Sequence, residues 1–96
     1  MKYTAVRRIY FHSDEAGLVA KDVAKEIVSE VPPQLGYRID DSAWHRSDRP
    51  KIEDVEIDAA SGACTVQLEP MVAGSAESVG RAFDTILNHD GWKEWS

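Results

Sequence analysis

Asp54, Glu56 and Asp58 occupy alternate positions, with Glu53 beside them and Glu69 in the next apolar run. These are the residues whose type and spacing point most directly to chemistry. In an extended strand, side chains alternate between faces, so acids two apart repeat every ~6.5 to 7 Å on one side. That pitch is comparable to the spacing of successive phosphates along a nucleic-acid strand. A row of this kind could imitate nucleic acid and occupy a basic groove on a protein that binds it. The same row could instead guard an exposed strand edge against pairing with other chains.

Trp95 is the second candidate, because a tryptophan close to the end of the chain is costly to expose and is common at binding hot spots. Trp92 is expected to pack against the core, and Trp44 to pack in the core or at a sheet edge. His12, His45, His89 and Cys64 match no H-x-x-x-H or C-x-x-C spacing, so no metal site and no cofactor are expected. The lone Cys64 sits on the apolar side of its run, where thiols are packing groups. No nucleophile, acid and base set can be assembled, and a non-enzymatic protein is expected. Arg7, Arg8, Arg38, Arg46, Arg49 and Lys51 offer an alternative, a nucleic-acid or ribosome-associated domain. Asp40, Asp41 and Asp48 dilute that cluster.

The charge distribution sharpens the first candidate. The chain has 96 residues and a formal net charge of −6. Residues 1–51 carry a net +1, residues 52–80 hold six acids and no Lys or Arg, and residues 81–96 carry −1. The acidic excess therefore belongs to the middle segment, where it favours basic partners and repels nucleic acid. With 43% hydrophobic and 29% charged residues, a single folded domain over 1–96 is expected. No apolar run approaches the roughly 20 residues of a membrane span, and Met1-Lys2-Tyr3-Thr4 is not a signal peptide, so a cytoplasmic location without membrane contact is expected.

Several elements are needed to position these residues. Tyr3 to His12 reads as a central strand, or one bulged at Arg7-Arg8. Ser13 reads as an N-cap, and Val19, Ala20, Val23, Ala24, Ile27 and Val28 fall on one helical arc opposite Lys21, Asp22, Lys25 and Glu26, with Pro32-Pro33 as the stop. Tyr37 to Arg46 reads as extended. Val55 and Ile57 alternate with acids, Cys64, Val66 and Leu68 alternate with polar residues, and the intervening Gly62 marks a hairpin. Pro70 ends that hairpin. Ser75 caps a helix with Val79, Ala82, Phe83, Ile86 and Leu87 on its seam, closed by Asp90-Gly91. The expected fold is α+β, in the order β-α-β-β-β-α, with a mixed or antiparallel sheet and two helices on one face.

That order resembles ribosome-associated hibernation factors and, from the first helix onward, the double-stranded RNA-binding domain. Both families bind RNA through basic residues, and the RNA-binding domain carries lysines at the start of its last helix. Here that stretch, Gly74-Ser75-Ala76-Glu77-Ser78-Val79-Gly80, has no base before Arg81, so the resemblance does not extend to RNA binding. The chain is also similar in outline to the DinI-type regulators of recombination proteins, although its last helix has no acidic ridge. The resulting expectation is a small acidic protein, monomeric or homodimeric. It would bind and inhibit a protein partner with a basic surface, in the manner of phage anti-defence or anti-CRISPR proteins. Direct nucleic-acid contact is not expected in that reading.

Overall fold

The structure, a computed structural model, describes residues 1–95. The first strand, β1 (Lys2–Ser13), is rich in the β-branched and aromatic side chains that suit a pleated surface. At its end the Ser13 hydroxyl accepts the Ala16 N–H at 2.9 Å, and Gly17 takes φ 67°, a left-handed conformation that glycine adopts without strain. The chain thus reverses instead of starting a helix. The second strand, β2 (Gly17–Val28), runs back along β1 in an unbroken antiparallel register from Ser13↔Gly17 to Lys2↔Val28. The bulge considered at the arginines is absent from this pairing.

This corrects the helix expected after Ser13, and the reason lies in spacing. Val19, Val23 and Ile27 are four apart, a separation that shares a face in a helix and equally in a strand. Lys21 and Lys25 mimic a polar helix face, yet in the strand they share the side of the valines. Their ammonium groups reach out of the core, Lys21 over the Phe83 ring at 5.3 Å and Lys25 to Asp41 at 2.9 Å. Strand pairing with β1 decides between two patterns that local periodicity leaves balanced.

The expected hairpin forms from β3 (Ile52–Ile57) and β4 (Cys64–Leu68), with a register shift between Ile52 and Asp54. Pro70 separates β4 from β5 (Met71–Val72), and both pair with β1 in parallel. The helix α1 (Ala76–Leu87) begins where expected, with the Ser75 hydroxyl accepting the Ser78 N–H at 3.0 Å. It ends at the cap Asn88, and Gly91 serves the following turn. Trp92, Lys93 and Glu94 then form β6, antiparallel to β2. The sheet order is β3-β4-β1-β2-β6, with β5 beside β1.

The chain order is therefore five strands, one helix and a last strand, not β-α-β-β-β-α with two helices. The topological resemblances that rested on that order do not apply. Tyr37 to Arg46 forms no strand; only an isolated Arg38↔Lys51 bridge occurs there. Residues 29–51 instead form a strap that crosses from β2 to the hairpin.

The strap and α1 cover one face of the sheet. Tyr3, Ala5 and Ile9 of β1, Val23 of β2 and Cys64, Val66 and Leu68 of β4 meet Ala43 and Trp44 of the strap, Val79 and Ile86 of α1, and Trp92. Neither the strap nor α1 covers the opposite face, where Val6 and Ala24 are nonetheless buried. Among the described residues no helix is long and apolar enough to cross a membrane.

Two substitutions test this assignment of faces. Ile86→Ala empties a fully buried position and is expected to lower unfolding free energy by about 2 to 5 kcal/mol. Leu18→Ser on the open face, where Leu18 is largely exposed, should change it by about 0.5 kcal/mol or less. Urea titration followed by tryptophan fluorescence reads both values, and equal effects would contradict the assignment.

Candidate functional site

Arg7 organises the covered face. It stands two residues from both Ala5 and Ile9 in β1 and so shares their face, its side chain points under the strap, and the residue is 2% exposed. The guanidinium donates from both terminal nitrogens to Asp48 at 2.8 and 3.0 Å, and from Nε to the Glu69 carbonyl at 2.9 Å. It also lies over the Trp44 ring, 4.6 Å from the centroid. A buried charge is tolerated only when it is paired and hydrogen-bonded, and Arg7 meets both conditions.

A second junction fastens the other end of the strap. Asp41 accepts from Lys25 Nζ at 2.9 Å, from Trp92 Nε1 at 3.0 Å and from the Ala43 N–H at 2.9 Å. Burial acts to raise the Asp41 carboxyl, but the Lys25 ammonium and the two N–H donors outweigh it and hold the group below its ordinary value. Trp44 and Trp92 meet at 5.1 Å between the two junctions. Trp92 and Trp44 are thus core residues, as expected, and Cys64 is buried.

The acidic row divides into two groups. Glu53, Asp54 and Glu56 of β3 are exposed and take part in no ion pair among the described residues. In contrast, Asp58 closes the hairpin: its carboxylate accepts the Ala60 N–H at 2.9 Å, a bond that holds the carboxyl below its usual range with help from Ser61. Glu69 accepts the Lys51 N–H at 2.7 Å and so ties β4 to the end of the strap. The row expected from sequence therefore presents fewer unengaged carboxylates than the pattern suggests. Trp95 is half exposed on the uncovered face, in a recess with Val6, Arg8, Asp22, Glu53 and Gln67. Its N–H donates to the Asp22 carbonyl at 2.9 Å, which extends β6 by one rung.

Several basic residues are engaged as well. Arg7 is buried, Arg8 pairs with Asp22 at 2.9 Å, and Arg38 donates to the Arg49 carbonyl at 2.9 Å. Only Arg46, Arg49 and Lys51 of that set have side chains without such a partner among the described residues.

A cleft of about 500 Å³ opens between the strap and α1, with Ala43, Trp44, Met71, Ala82 and Ile86 lining its apolar part. Ser42, His45 and His89 also line it. Ser42 Oγ lies 3.5 Å from His89 Nδ1, beyond the roughly 2.6 to 3.2 Å of a working nucleophile and base. Among the described residues no carboxylate hydrogen-bonds to His89. No family model matches this chain, and neither does any curated protein or solved structure.

The two junctions make separate predictions. Asp48→Ala leaves the buried guanidinium without its counter-ion and should cost about 3 to 5 kcal/mol. Arg7→Met should cost less, because the Asp48 side chain is 35% exposed and can take up water. Paired urea titrations check the order, and the reverse order would remove Arg7 from its central place. Asp41, with its lowered value, stabilises the fold above the ordinary carboxyl range and loses that contribution as pH falls below about 4. The stability difference between the native chain and Asp41→Asn should therefore be constant near neutrality and shrink as pH falls through that range. A difference unchanged down to about pH 2 would contradict it.

Proposed function

We propose that this protein is a small non-enzymatic interaction protein that binds a basic surface of a protein partner through the outer side of β3. The observation that carries the reading is the exposure of Glu53, Asp54 and Glu56 on an edge strand, with no counter-ion among the described residues. Elsewhere several acids have basic partners: Asp22 with Arg8, Asp41 with Lys25, Asp48 with Arg7 and Glu26 with Lys2. Unpaired charge on one element raises the encounter rate with an oppositely charged surface and loses that effect with salt. Trp95, which lines the same recess as Glu53 on the open face, supplies an aromatic anchor of the kind that carries binding energy.

This reading is narrower than an extended imitation of nucleic acid, because Asp58 is engaged in the hairpin turn and Glu69 with the end of the strap. Blocking of the partner follows if the basic surface is the one that partner uses. Direct nucleic-acid binding has less support, since Arg7 is buried and Arg8 and Arg38 are engaged.

The test is a variant carrying Glu53→Lys, Asp54→Lys and Glu56→Lys together, which leaves Asp58 and Glu69 in place. Each site is exposed, so the fold should change by no more than about 0.5 kcal/mol per substitution. A partner captured from host extract by the native chain should release as salt rises from about 0.1 to 0.5 M and should not bind the folded variant. The native chain should also give no gel shift with RNA or duplex DNA at low salt. Undiminished capture by the variant would overturn the proposal.

A further inference from the structure

The backbone of β3 makes the interaction more specific than charge alone. The Asp58 N–H donates to the Ala63 carbonyl at 2.9 Å and the Asp58 carbonyl accepts from the Gly62 N–H at 2.7 Å, so both backbone groups of Asp58 point toward the β4 side, as in a hydrogen-bonded pair. In an antiparallel ladder such pairs alternate with pairs whose backbone groups point away from each other. Counting back through the register, Ile57↔Cys64 and Val55↔Val66 are of the second kind. Val55 and Ile57 therefore direct their N–H and C=O groups toward the open side of β3, which is the end strand of the sheet. Nearer the start of β3 the edge is closed, because the Ile52 N–H donates to Tyr37 at 2.7 Å and the Ile52 carbonyl accepts from Gly36 at 2.9 Å.

The side chains at this open edge alternate in chemistry. Asp54 and Glu56 stand on the uncovered face, and Val55 and Ile57 on the face of the core. Ile57 is 69% exposed, a large apolar surface at the end of an otherwise packed row. A strand laid beside β3 would place alternate residues opposite the acids and the others beside Val55 and Ile57. A second copy of this chain is a poor occupant, since pairing β3 with itself sets acid against acid.

We infer that the open edge of β3 takes up an extended segment of a partner protein in which basic and apolar residues alternate, adding it to the sheet as a further strand. This rests on the reading of β3 as the binding element and adds to it a backbone contact that charge alone does not require. Main-chain hydrogen bonds to Val55 and Ile57 supply affinity, the acids select basic residues on one face, and Ile57 accepts an apolar residue on the other.

A short peptide of alternating lysine and valine, titrated into the intact protein and followed by amide NMR, tests the inference. The amides of Val55 and Ile57 should shift and their hydrogen exchange should slow by about tenfold or more. The same peptide N-methylated at alternate residues on its pairing edge should bind about tenfold more weakly, since its charge is intact but its donors are gone. Equal binding of both peptides overturns edge pairing while leaving the acidic-surface reading intact. Protection at Leu18 and Ala20 of β2 in place of Val55 and Ile57 overturns it as well, as does the absence of binding by either peptide. The charge-reversed variant judges the acidic surface separately, through capture of a folded partner.

Discussion

A buried guanidinium governs the architecture of this protein. Arg7 stands in the central strand, facing the core, where an unpaired charge would not be tolerated. The Asp48 carboxylate and the Trp44 ring, both from the strap, and the Glu69 carbonyl just past β4 satisfy it. Satisfying Arg7 thus determines where the strap crosses the sheet and where β4 ends. Beyond the short pairing around Arg38↔Lys51 and a few turn bonds the strap has no regular ladder, so side-chain contacts at Arg7 and Asp41 add to the few backbone bonds that hold it.

The placement of the strap decides which surface stays open. The strap and α1 share one face, and its first half also closes the start of β3 through Gly36 and Tyr37. What remains uncovered is the opposite face and the second half of the β3 edge. Glu53, Asp54 and Glu56 lie there. Within the hairpin and just past it, Asp58 and Glu69 each have a structural task, while Glu53, Asp54 and Glu56 have none and remain exposed on β3.

How much of this was legible in the sequence depended on whether the signal was local. The β3–β4 hairpin and α1 were, because Val55, Ile57, Cys64, Val66 and Leu68 alternate cleanly and Ser75 begins a seam at helical spacing. The second strand was not, because residues four apart satisfy both periods and Lys21 and Lys25 look exposed until the rings and carboxylates they reach are known. Arg7 in a strand reads as a surface residue for the same reason. Its partners lie 41 and 62 positions away, beyond any local pattern. Within the site, the exposure of Glu53, Asp54 and Glu56 followed from alternation, whereas the internal roles of Asp58 and Glu69 depend on a turn and on a strap that alternation does not describe.

Native-state hydrogen exchange, reading the Arg7 Nε–H together with the backbone amides, addresses the central claim most directly. A clasp closed over Arg7 and an open β3 edge require slow exchange at Arg7 Nε, in contrast to Arg46 and Arg49, and fast exchange at Val55 and Ile57. Rapid exchange at Arg7 Nε, or strong protection of Val55 and Ile57 in the free protein, would contradict the account.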